Sequence, residues 1–188
     1  GDFRLEYEFK VDPRLNSGVQ IRSECFDQPT ETEWQGKVIS VPAGRVHGYQ
    51  IEIDPDPKQD RWWSAGIYDE ARRGWLFPGV LGGENKAFTD AGRKLFRQGE
   101  WNRVKVEAVG ESIKTWLNGK LVVDIFDSIA MKGFIGLQIH AGPAGSVAWR
   151  NIRVKDLGES KWEPFFVQGD DGKYQLVNAR FVLPEEWS

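Results

Sequence analysis

Alternation with a period of two residues runs through this chain from near its start to about residue 154, and it restricts the fold more than any other feature. Phe3, Leu5, Tyr7, Phe9 and Val11 alternate with Arg4, Glu6, Glu8 and Lys10. In an extended segment that puts the apolar side chains on one face and the charges on the other. Such a strand must lay its apolar face against a second layer. The same period recurs in residues 19–24, 49–54, 101–109, 113–117, 120–124, 134–140 and 147–154. Asn118-Gly119 stands between two of these runs, the strongest short-range hairpin signal, because a type I′ turn needs positive φ at both central positions. No stretch carries a convincing amphipathic helical period. The pattern predicts an all-β fold, an antiparallel β-sandwich.

The breaks between runs are chemically ordinary. Asp12-Pro13 ends the first strand and Asn16-Ser17-Gly18 reads as a turn. Residues 26–46 and 69–98 read as long loops, the second rich in glycine and carrying Trp75, Phe77, Phe88 and Phe96. Asp54-Pro55-Asp56-Pro57 closes the 49–54 strand, since proline cannot continue a ladder. Asp54, Asp56 and Asp60 lack the Gly and Glu of a calcium loop and read as a rigid turn. The domain is expected to span residues 1–157. A C-terminal extension, 158–188, should contain one hairpin and either pack on the domain or lead to a neighbour. The chain opens at Gly1-Asp2 directly into a strand pattern, as expected of a domain excised from a longer chain, and no signal peptide is seen.

Composition excludes some partners. With 25 basic and 28 acidic residues the net charge is −3, which gives no reason to expect nucleic acid or an anionic membrane. No segment reaches the ~20 apolar residues that span a bilayer. Cys25 is the single cysteine, so no intrachain disulfide can form. A lone cysteine next to a strand is expected to serve packing.

The polar faces of three strands carry the chemistry. They are Gln20, Arg22 and Glu24; Gln50, Glu52 and Asp54; and Gln138 and His140. If these strands share a sheet, their side chains meet, because neighbouring strands lie about 4.8 Å apart. The result is a floor of carboxylates, amides, a guanidinium and an imidazole that can bind hydroxyls and supply a general base or metal ligands. Taken singly, Glu52 and, more so, Glu24 can be read as a solvated outer face, Arg22 as the partner of a carboxylate, and His140 as a hydrogen-bonded structural histidine, the commoner role for a lone histidine beside an apolar strand. Tryptophan offers stacking surface for sugar rings, so Trp63 and Trp75 are candidate contacts, although most tryptophans in a sandwich fill its core.

Asn16-Ser17-Gly18-Val19 with Arg22, the run from Gly48 to Asp54, Ala65-Gly66-Ile67-Tyr68, Trp101-Asn102, Leu117-Asn118-Gly119, Gly136-Leu137-Gln138-Ile139-His140 and Trp149-Arg150-Asn151-Ile152 occur in order. Together they resemble the 3-keto-disaccharide hydrolase domain family over residues 2–157. That family more often has Glu and Gln where this chain has Gln50 and Glu52. The resemblance implies a concanavalin A-like jelly roll that acts on glycosides whose sugar is oxidised to a ketone at C3. On that basis Glu52 or His140 is expected as base, Arg22 as enolate stabiliser, and Asp54 or Tyr68 as orienting groups. Gln50, Gln138, Tyr68, Trp63, Trp75 and Glu24 are expected to contact substrate. A divalent metal ion held by carboxylate and imidazole is an alternative electrophile to Arg22. The expected partner is a carbohydrate, an oxidised disaccharide or glycoside. By analogy with exported sugar-acting sandwiches, the expected location is the periplasm or cell exterior. A non-catalytic sugar-binding module led by Trp62, Trp63 and Trp75, and an appended structural domain, are the competing readings.

Overall fold

The structure is a computed structural model that describes residues 1–141, 145–158, 166–168 and 173–176. Ten strands form two five-stranded antiparallel sheets. The first holds β1 (Asp2–Val11), and the next strand, β2 (Ser17–Glu24), belongs to the second. A separate hairpin, β3 (Thr30–Trp34) and β4 (Lys37–Val41), leads to β5 (His47–Ile53), and a two-residue pair follows, β6 (Pro55–Asp56) with β7 (Arg61–Trp62). Then come β8 (Ile67–Glu70), β9 (Gly74–Phe77) and the helix α1 (Asn85–Leu95). The chain continues through β10 (Asn102–Val109), β11 (Ser112–Leu117), β12 (Lys120–Phe126), β13 (Phe134–Ile139) and β14 (Val147–Gly158).

The sheets run in the order β12-β11-β10-β1-β14 and β13-β2-β5-β8-β9. Their apolar faces build one core. Leu5, Phe9, Val104, Val106 and Ile113 come from the first sheet, and Ile21, Tyr49, Ile51 and Ile67 from the second. Thr115 crosses between the layers, its hydroxyl donating to the Ala65 carbonyl at 2.6 Å. This is the expected antiparallel β-sandwich of jelly-roll type. The Asn118-Gly119 hairpin forms as read, with φ of 48° and 84°, joining β11 to β12.

Several local expectations are corrected. Residues 26–46 contain the β3–β4 hairpin, and residues 69–98 contain β9 and α1. Ser17 and Gly18 are strand residues, while the turn lies earlier, at Pro13-Arg14. Cys25 is exposed just beyond β2 and packs no core. The expected extension, 158–188, falls mainly outside the described residues. Within it β15 (Phe166–Gln168) and β16 (Tyr174–Leu176) pair as a hairpin. Among the described residues no helix is long and apolar enough to cross a membrane.

Candidate functional site

The three polar faces meet because β13, β2 and β5 are consecutive in one sheet. Register then sorts their side chains into two rows on the sheet face turned away from the core. One row runs Gln138, Gly18, Glu52; the other runs Gly136, Gln20, Gln50, Tyr68, Trp75. Over these rows opens a cavity of about 390 Å³ whose walls include Gln50, Glu52, Asp54, Tyr68, Gln138 and His140.

Glu52 lies at its floor, only 3 % exposed. Asn16 donates its amide to Oε2 at 3.1 Å and Gln50 donates to Oε1 at 2.5 Å. Behind Gln50 the donors form a relay. Gln20 donates to the Gln50 Oε1 at 2.6 Å, and the Ser23 hydroxyl donates to the Gln20 Oε1 at 2.7 Å. Each bond polarises the next towards the carboxylate. These donors favour the charged form, yet burial outweighs them. Loss of water, with the nearby Asp54 charge second, pushes the Glu52 carboxyl up to about 8. A carboxylate that holds its proton this tightly is a strong base once ionised, poised near neutral pH.

Gly18 makes the relay fit. A Cβ at this position would come within 2.5 Å of Gln50 Cγ, so the missing side chain on β2 is the space through which Gln50 crosses to Glu52.

Asp54 forms the second acidic centre. It is 1 % exposed, and Arg61 donates Nε to its Oδ2 at 2.5 Å. Burial raises the Asp54 carboxyl above its ordinary range, and Arg61 opposes the rise. The Arg61 guanidinium also lies over two indoles, 5.6 Å from the Trp63 ring centre and 5.9 Å from that of Trp75. Trp63 meets Trp75 edge-on at 4.7 Å and donates its indole N–H to the Thr89 hydroxyl at 2.9 Å. Tyr68 packs edge-on against the same Trp75 at 5.5 Å. Trp75, Tyr68 and Arg61 thus form one wall of the cavity.

Not every expected residue is brought here. Arg22 turns away because it takes a left-handed conformation, φ 46°, where the β2–β5 register shifts. That irregularity breaks the alternation on which its expected face rested. Its guanidinium, 1 % exposed, donates to the carbonyls of Gly110 at 2.7 Å and Gly1 at 3.2 Å and pairs with Asp2 at 3.3 Å. Glu24 is half-buried opposite His47, outside the cavity walls. Trp63 stands behind Trp75 and does not line the cavity. His140 sits exposed at the margin, its Nδ1 against the Ala141 carbonyl. The Oε1 of Gln138 is buried without a hydrogen-bond partner.

Sequence reading missed Asn16, Arg61 and Glu70, all of which line the cavity. Asn16 was absorbed into a turn signal, and Arg61 lies in a segment with no period. Glu70 carried a recoverable signal, since it stands two residues after Tyr68 on the same strand face. Among the described residues no group of three or more His, Cys, Asp and Glu is arranged to hold a metal ion. Here the carboxylates are matched instead with amides and a guanidinium.

The profile of the 3-keto-alpha-glucoside-1,2-lyase-like domain matches residues 1–155. Among solved structures, a provisionally named glycosyl hydrolase from Parabacteroides distasonis ATCC 8503 is 25 % identical, with a TM-score of 0.48, over 82 % of this chain and 78 % of that one. The carbohydrate-binding module CBM66 from Bacillus subtilis is 16 % identical, with a TM-score of 0.42, over 82 % and 75 % of the two chains. An alginate lyase is 12 % identical, with a TM-score of 0.38, over 85 % and 71 %. No curated protein matches.

Proposed function

The chain belongs to the 3-keto-alpha-glucoside-1,2-lyase-like domain family, and on that premise we propose that it cleaves 3-keto-glycosides by elimination with Glu52 as the base. The observation that carries this reading is the Glu52 carboxylate itself, buried at the floor of an open polar cavity and raised to about 8. A ketone at C3 acidifies the proton on C2. Glu52 removes that proton, and the C–H pair becomes the enolate. Collapse of the enolate forms the C1–C2 double bond and breaks the C1–O glycosidic bond, whose electron pair leaves on the aglycone oxygen. Arg61 takes the role of cationic partner to the enolate oxygen that the sequence assigned to Arg22, because it lines the cavity and Arg22 does not. His140, at the cavity margin, is the group that protonates the departing oxygen. Addition of water to the unsaturated product gives net hydrolysis.

The test is sugar release from a C3-oxidised α-disaccharide and from its unoxidised parent. Release from the oxidised sugar alone is expected, and Glu52→Gln should lower it by at least about 10³-fold. His140→Ala should slow the disaccharide far more than a nitrophenyl 3-keto-α-glucoside, whose leaving group needs no acid. Binding of the oxidised sugar without release would instead favour the non-catalytic sugar-binding reading, for which the Tyr68–Trp75 wall supplies the stacking surface.

A further inference from the structure

The cavity over Glu52 does not end at His140. A second cavity of about 550 Å³ abuts it, and Glu70, Gln138 and His140 line both. Each lies in the size range of small-ligand sites. Their walls differ in chemistry. Around Glu52 the lining consists mostly of acids, amides and arginines, whereas Phe134, Leu137, Ile139 and Val46 contribute to the second. Phe134 stands on the same strand as Gln138, and its ring reaches back over Gly136, where an added Cβ would lie 3.3 Å from it. It is 41 % exposed, so one ring surface is open to a ligand. Across the cavity Arg45 pairs with Glu70, which neutralises the charge on that wall. The polar groups of Gln20, the other amide here, are already engaged with Gln50 and Ser23.

We infer that the second cavity is the leaving-group subsite, and that it takes an apolar, ring-bearing aglycone stacked on Phe134 in preference to a second sugar. This rests on the elimination reading above, which puts the sugar over Glu52 and the breaking C1–O bond beside His140, at the junction of the two cavities. The free polar groups of the second cavity's walls, Gln138 Oε1 and the His140 ring, stand at the junction with the first cavity. A second sugar would therefore bring the rest of its hydroxyls against Phe134, Leu137, Ile139 and Val46, where each unpaired hydroxyl would lose its water. An aryl ring loses nothing comparable and gains the face of Phe134.

Benzyl and methyl 3-keto-α-glucosides test this, because both leave as alkoxides and differ chiefly in the ring. A KM at least about tenfold lower for the benzyl compound is expected. Phe134→Ala, and Gly136→Leu as a second variant that fills the space, should each collapse the benzyl-to-methyl ratio towards one. A 3-keto-disaccharide bound as tightly as the benzyl glycoside, or a ratio indifferent to both substitutions, would overturn the inference. Turnover of the methyl compound reports on the reaction alone. If neither compound turns over, the reaction reading fails. The subsite is then decided by calorimetric binding of the unoxidised benzyl and methyl α-glucosides, for which the same ratio and the same loss in Phe134→Ala are expected, and equal affinities refute it.

Discussion

At the scale of single residues, the site depends on a side chain that is absent. Gln50 reaches Glu52 only across Gly18, so Gly18→Ala forces the amide aside. The bond it loses favours the charged carboxylate, and without it the Glu52 carboxyl moves further up. Turnover at pH 7 should fall several-fold, with the rising, acid-side limb of the pH–rate profile displaced to higher pH. Gln50→Ala should reproduce that displacement; a profile identical to that of the parent would remove the relay from the mechanism. Arg22 teaches the opposite lesson. The alternation of Gln20, Arg22 and Glu24 was visible in the sequence, but no sequence pattern announces a left-handed residue that is not glycine or asparagine. Arg22→Met should cost about 3 kcal/mol in urea unfolding, because it removes the cation beside the buried Asp2 carboxylate and the donor to the Gly110 and Gly1 carbonyls, and should leave the pH–rate profile in place. A displaced profile would return Arg22 to the chemistry.

At the scale of elements, the strands were legible and their dressings were not. Each core strand has a period of two, and the Asn118-Gly119 turn is fixed by its own chemistry, so both can be read locally. The convergence of β13, β2 and β5 is a property of sheet order, which depends on contacts between residues distant in sequence. The helix α1 escaped detection because only Phe88 and Gly92 in it are buried, too sparse a stripe to show a helical period. It caps on Glu84, which accepts from the N–H groups of Lys86 and Ala87. This helix sets the position of Arg61. A Cβ on Gly92 would lie 1.8 Å from the Trp62 carbonyl oxygen and 2.9 Å from its carbon. Helix propensity alone predicts that Gly92→Ala stabilises by about 1 kcal/mol. Backbone contact predicts the reverse, since the β6–β7 hairpin must move and Arg61 with it. The expected outcome is a lowered Tm together with at least about tenfold lower turnover. A raised Tm with full activity would show that the helix merely rests on the hairpin.

At the scale of the whole molecule, the ionisation that serves chemistry opposes folding. Glu52 titrates at about 8 in the folded chain and near its ordinary 4.5 when unfolded. Between those values the folded state holds a proton that the unfolded state has released, so stability is greatest below about 4.5 on this account and falls as pH rises to about 8. Asp54, also raised by burial, acts with the same sign. Turnover runs the other way, rising as Glu52 ionises through about 8. The two curves should therefore cross. Glu52→Gln keeps the side chain's shape without its charge, so it should flatten the decline of Tm between pH 5 and 9 while abolishing elimination. By pH 8 the recovered stability is roughly 3 to 5 kcal/mol, less whatever is lost where a glutamine N–H faces the Asn16 or Gln50 donor. Thermal unfolding of parent and variant across that range checks this directly. Parallel Tm curves would mean that Glu52 is ionised throughout, and the buried base would lose its physical foundation. A converging pair at low pH and a diverging pair at high pH would tie the stability of the sandwich to the same proton that leaves C2.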